Sequence, residues 1–174
     1  MPNTFTKIAS VSVGVLGASS IDFTSIPATY TDLVLKCSIR GVVAALNVPL
    51  GVRFNGDSGA NYRNLAIQGS GASAISYSQT SQTNFNIGNG TGATATANTF
   101  GSTDVYIPNY TSSNQKSISS DDVMENNATT GYQTLTASLW TGTSAINRIT
   151  IADYSGSTLF AQYSTVTLYG IKNS

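Results

Sequence analysis

The side chains in this sequence that could do chemistry are sparse, and each lacks the neighbour its chemistry needs. Asp121, Asp122 and Glu125 form its one carboxylate cluster. Paired carboxylates can divide acid and base work in glycoside cleavage, but one local cluster shows no substrate groove. Its spacing instead suits a short helical turn over 121–127, with acids near the positive end. In NGDSGAN, Asn55, Asp57 and Asn61 are oxygen donors at spacings reminiscent of a calcium loop, yet the closing bidentate Glu is missing, so a tight turn is expected. Glycines at 88, 90 and 92 and at 69 and 71 do not lead into a helix, and no Gly-Lys pair exists to hold a phosphate. The chain has no His, the commonest general base and metal ligand, and one Cys, which excludes an intrachain disulfide and a Cys-based zinc site. Cys37 alternates with Leu33, Leu35 and Ile39 and is expected to be a buried small hydrophobe. A Ser activated by Lys116 or Lys172 is the remaining nucleophile scheme, and no spacing singles one out. No enzyme, cofactor or metal is therefore expected.

Composition narrows the partners. Of 174 residues only 9% are charged, 8 basic against 8 acidic, where ordinary domains carry about 25%. Hydroxyls and amides take over the wetting of the surface: 24 Ser, 23 Thr, 15 Asn and 6 Gln. With zero net charge and scattered cations there is no field to gather phosphates, so nucleic acid is not an expected partner. Strands could still bring Lys36, Arg40 and Arg53 to one face. No stretch approaches the roughly 18 apolar residues of a membrane span. Residues 7–20 loosely imitate a secretory leader, but Ser10, Ser12 and Gly14 interrupt the run and Val11, Val13 and Val15 alternate as in a strand. A lone thiol fits assembly in a reducing cytoplasm. The three Asn-x-Ser/Thr sites are uninformative, since about four arise by chance from so much Asn, Ser and Thr.

The elements that must position these residues are strands. Leu33, Leu35, Cys37 and Ile39 oppose Lys36, Ser38 and Arg40; Val52 and Phe54 oppose Arg53; Leu135, Ala137 and Leu139 oppose Thr134, Thr136 and Ser138; Ile149 and Ile151 oppose Arg148 and Thr150. That is period two. Further strands are expected at 5–15, 62–68, 74–80, 104–108 and 116–120, with a long one over 160–172. Ten or so short strands separated by Gly, Asn, Ser and Pro predict one all-β domain over 1–174, an antiparallel two-sheet sandwich, jelly-roll-like, with long Gly/Ser/Thr/Asn-rich loops. Residues 1–7 are expected to form an N-terminal arm, and 88–98 either a long exposed loop or an arm that orders only against a partner. Pro49 marks an edge or a bulge. Tyr is the enriched aromatic, 9 residues, and Tyr and Trp suit subunit interfaces and sugar platforms alike. The expected interface residues are Tyr106, Tyr110, Trp140 and Arg148, with Asn89 and Thr91 from the loop.

Five segments carry a resemblance over most of the chain: IPATYTDLVLKCSIRG (26–41), VRFNGDSGANYRNLAIQGSG (52–71), VYIPNYTSSNQKSI (105–118), SLWTGTSAINRITI (138–151) and STVTLYGIKNS (164–174). Together they are similar to a family of small structural proteins in tailed-bacteriophage particles. The most specific pieces are the FNGDSGANY turn, the W-x-x-T/S-A-I-x-x-I block from Trp140 to Ile149 and the LYGI ending, whereas DYSGSTLFA at 153–161 fits loosely. The resemblance implies a virion component without enzymatic activity, made in the bacterial host cytoplasm and residing in capsid decoration, neck or tail. The leading expectation is a cement on the capsid surface, a homotrimer that clamps neighbouring major capsid subunits and stabilises the DNA-filled head. The alternative is a neck- or tail-associated protein, such as a receptor- or glycan-binding module of a tail fibre.

Overall fold

The computed structural model describes residues 4–71, 73–125 and 131–172. The described residues form twelve strands and no helix. In chain order these are β1 (Phe5–Ser12), β2 (Ser20–Phe23), β3 (Asp32–Ile39), β4 (Asn47–Phe54), β5 (Tyr62–Ser70) and β6 (Ser73–Gln82). There follow β7 (Phe85–Thr91), β8 (Gly101–Ile107), β9 (Lys116–Glu125), β10 (Gly131–Trp140), β11 (Ile149–Asp153) and β12 (Thr165–Ile171). Thr, Val, Ile and Tyr supply 32 of the 93 strand residues, and their stiff or flat side chains pack well on a pleated surface.

Two antiparallel sheets result, an eight-stranded one ordered β1-β12-β3-β8-β9-β10-β5-β6 and a four-stranded one ordered β2-β11-β4-β7. They face each other as a sandwich, as the alternation predicts. From β2 to β5 each successive strand crosses to the other sheet, so sequence neighbours meet across the core rather than side by side. Leu33, Leu35, Cys37 and Ile39 line the inner face of the large sheet, all buried, against Val48, Leu50, Val52 and Phe54 of the small one. At one end Phe54, Tyr62, Phe85 and Trp140 pack together, edge to face at 5.2 Å for Phe54 and Phe85 and at 4.8 Å for Tyr62 and Phe85, with Tyr62 stacked on Trp140 at 6.5 Å. Full burial of a side chain such as Phe54 is worth about 1.5–3 kcal/mol. Cys37 is buried as expected, and desolvation pushes its thiol up to about 12.

Several expectations need correction. Residues 121–125 are strand, not helix, because Ser120, Asp122 and Met124 point inward while Asp121 and Val123 point out; 126 and 127 lie outside the described residues. The expected 88–98 loop begins as strand: Gly88 to Thr91 complete β7, whose small residues let it lie close over β9 and whose Gly88 amide bonds the Asn86 side chain. Only 92–100 is loop, and it is held by contacts within the chain. The Arg40 guanidinium donates to the carbonyls of Ala93, Ala95, Thr96 and Thr99, while Glu125 accepts from Thr96 and Thr99. The expected arm is β1 from Phe5 onward, an edge strand paired with β12; residues 1–3 lie outside the described residues. Pro49 does sit at a bulge, where the β4–β7 register shifts between Pro49 and Gly51.

Candidate functional site

The most specific motif residues form a structural clip. Asn55 adopts φ 52°, the left-handed region that Asn tolerates, and Gly56 follows at φ 71°, turning the chain out of β4. From that corner the Asn55 amide donates to Ala145 O at 2.8 Å, and its carbonyl accepts from the Asn147 and Arg148 amides at 2.9 and 3.2 Å. Asp57 accepts from the Gly59 amide, the Asn61 side chain and, at 2.7 Å, the Trp140 indole N–H. These hydrogen bonds outweigh partial burial and hold the Asp57 carboxyl below its ordinary range. Lys116 is buried, its ammonium bonded to the carbonyls of Ser112, Asn114 and Ser144 and lying 5.8 Å from the Trp140 ring centre. Desolvation lowers its pKa. The turn and the Trp140 block thus brace one another, and their polar groups are spent on each other.

The expected interface residues do not come together. Trp140, Tyr110, Asn89 and Thr91 are buried within the chain itself. Trp140 belongs to the clip, the Tyr110 hydroxyl donates to Pro27 O, and the Thr91 hydroxyl donates to Thr99 O. Arg148 is exposed but engaged, pairing with Asp22 at 2.7 Å on the small sheet. Tyr106 alone stays on an open face, 40% exposed, with its hydroxyl donating to Asp32 at 2.8 Å. Lys36, Arg40 and Arg53 are also dispersed: Lys36 pairs with Asp104 on the large sheet, Arg40 holds the 92–100 loop, and Arg53 donates to Thr83 O on the small sheet.

Asp121 and Asp122 part company because adjacent strand residues face opposite ways. Asp122 is 1% exposed and lies between Thr103 of β8 and Thr134 of β10, its register partners. One carboxylate oxygen accepts the Asn89 amide at 3.0 Å, while the other has no hydrogen-bond partner, as is true of the Thr103 and Thr136 hydroxyls nearby in the same layer. Desolvation pushes its pKa up to about 7.

What the molecule offers outward is the far face of the large sheet. Directly paired residues share a face, so the register lines up Ile67 with Leu135, Leu65 with Ala137, and Val123 with Gln133. Leu65, Ile67, Val123 and Leu135 are each more than half exposed. Farther across the sheet lie Tyr106, Val34, Tyr169 and Phe5, the last two in ring contact at 5.9 Å. A depression of about 350 Å³ there is lined by Phe5, Val34, Tyr106 and Leu135 beside the Lys36–Asp104 pair. Ser76, Ser78, Ser102, Ser117 and Ser119 fill the gaps between these apolar groups. Eight strands spaced about 4.8 Å, each about 25 Å long, give a face of roughly 800 Å², which is what each partner contributes to a standard interface. The signal was present in the sequence, as Leu and Ile at outward positions of otherwise Ser- and Thr-rich strands, but without strand order it could not be seen as one surface. Compared with known protein families, with curated proteins and with solved structures, the chain matches none.

Proposed function

We propose that this protein is a structural component of a tailed-bacteriophage virion, most specifically a capsid cement that binds across neighbouring major capsid subunits as a homotrimer. It acts by adhesion, without turnover. The observation that carries this reading is the broad outer face of the eight-stranded sheet, where exposed apolar side chains and hydroxyls surround the charges of Lys7, Lys36, Arg63, Asp104 and Asp121. Such a face suits a lattice partner, to which many copies hold durably through individually modest contacts. The motif residues that resemble the phage proteins support it too, since they brace the scaffold rather than assemble a reactive centre. A sugar platform is less favoured, because Trp140, Tyr62 and Tyr110 are all buried. We also read the wiring as a jelly roll, β1-β12-β3-β8 facing β2-β11-β4-β7, with β9, β10, β5 and β6 extending the larger sheet beyond β8. Quantitative mass spectrometry of purified virions tests the proposal. Roughly hundreds of copies are expected of a cement at repeated symmetry positions; about a dozen would move the protein to the neck or tail, and none would end the virion reading.

A further inference from the structure

A sheet edge is a row of unpaired backbone donors and acceptors, and proteins blunt such rows with charge, Pro, bulges or brevity. Among the described residues there are four such edges, and three of them are blunted. The β1 edge carries Lys7 and a register shift between Lys7 and Ala9. The β2 edge is 4 residues long. The β7 edge spends its groups internally, through the Asn89 amide to Asp122, the Gly88 amide to Asn86, and the Thr91 carbonyl to the Gly41 amide. The fourth, β6, has none of these devices along most of its length. It is terminal in the large sheet, 10 residues long, with no charged residue, no Pro and no buried position. Its pairing with β5 is regular from Ser73 to Gln79 and shifts only beyond, where Ser81 takes φ 59°.

We propose that β6 is a seam between two copies of this chain, each adding its β6 antiparallel to the other's about a two-fold axis through Ser76. The occupant follows from self-complementarity. Centring the pair on Ser76 uses the whole regular stretch and sets Ser73 against Gln79, Ala74 against Ser78, and Ile75 against Tyr77. Ile75 is 53% exposed in the single copy, and opposite an aromatic ring it gains the β-branched to aromatic cross-strand contact that stabilises sheets. No like charges meet, because the strand has none. The overlap forms about six to eight backbone hydrogen bonds, since alternate pairs exchange two each. The joined sheet also makes the two outer faces continuous. The seam does not depend on the virion reading; within it, a two-fold contact would link one decoration unit to the next.

Crosslinking of the full chain tests the seam and its register. Cys37 is buried, so Ser76→Cys supplies the one accessible thiol among the described residues. Residues on the axis stand about 4.5–5.5 Å apart at Cα, within disulfide reach. Mild oxidation should convert most of the Ser76→Cys protein to covalent dimer. Ser102→Cys, on the outer face of β8, should convert far less. Ser73→Cys should link to Gln79→Cys when the two are mixed, and neither should link to itself. In sedimentation of the reduced protein, Ile75→Lys should weaken association at least tenfold, with thermal unfolding checking that the variant folds. The proposal is overturned if Ser76→Cys yields no more dimer than Ser102→Cys, or if Ser73→Cys links to itself as readily as to Gln79→Cys. Virion copy number is a separate measurement, so either proposal can fail alone.

Discussion

Replacing Asp122 by Asn should stabilise the protein at neutral pH and leave it unchanged in acid. The carboxyl sits between the sheets with one oxygen unpartnered, and burial raises its pKa from 3.8 to about 7. Between those values the folded protein keeps a proton that the unfolded chain has released, so stability falls as pH rises, by about 1.4 kcal/mol per pH unit. The stabilising share is complete below about pH 4 and lost by about pH 7. Across the window the loss is of order 4 kcal/mol. Asn keeps the shape and an oxygen for the Asn89 amide, but its new N–H₂ must find an acceptor such as the Thr103 hydroxyl, which returns about 1 kcal/mol. At pH 8 the variant should therefore gain about 2–4 kcal/mol, an increase in Tm near 10 °C for a chain of this size. Asp22, Asp57 and Asp153 have lowered pKa values and contribute oppositely, but their stability is lost only as pH falls below about 4, outside this window. Calorimetry of both proteins from pH 4 to 8 is the assay. Parallel curves, or a variant less stable at pH 8, would refute a neutral buried carboxyl at this position.

Two further outcomes follow from named contacts. Asn55→Ala should cost about 2–3 kcal/mol in denaturant unfolding, from the lost bonds across to Ala145, Asn147 and Arg148 and from Ala at positive φ, whereas Asn55→Gly should recover only the backbone share. Cys37 should resist thiol reagents at pH 8 in the folded protein and react at once in denaturant, because its thiol is buried and its pKa raised to about 12; rapid labelling of the native chain would contradict its placement in the core.

Period two made most strands legible, because alternation such as Leu33, Leu35, Cys37 and Ile39 has no other comfortable home than a half-buried strand. Two strands escaped. β2 is only four residues long, and β7 hides its pattern behind Gly88 and Gly90, which read as loop although close packing, of Gly88 on Asp122 of β9 and of Gly90 on Ile39 of β3, requires them to be small. A Cβ at Gly88 would come within 2.1 Å of the Asp122 carboxylate. The apparent acidic cluster misled for a related reason: helical spacing and strand alternation make opposite claims on Asp121 and Asp122, and only the pairing with β8 and β10 decides between them. The candidate surface was the least legible part. Trp140 and Tyr110 are types enriched at interfaces, yet their polar tips found partners inside the fold, while the residues left outside are ordinary Leu, Ile and Val whose kinship depends on strand order.

The hold of Arg40 on the 92–100 segment has a consequence for how that segment comes loose. A single guanidinium answers four peptide oxygens spread over seven residues, so partial release would strand a cation and several carbonyls at once. The segment should behave as a latch with two positions, seated or free, and its amide protons should exchange with solvent in one concerted event rather than fraying residue by residue.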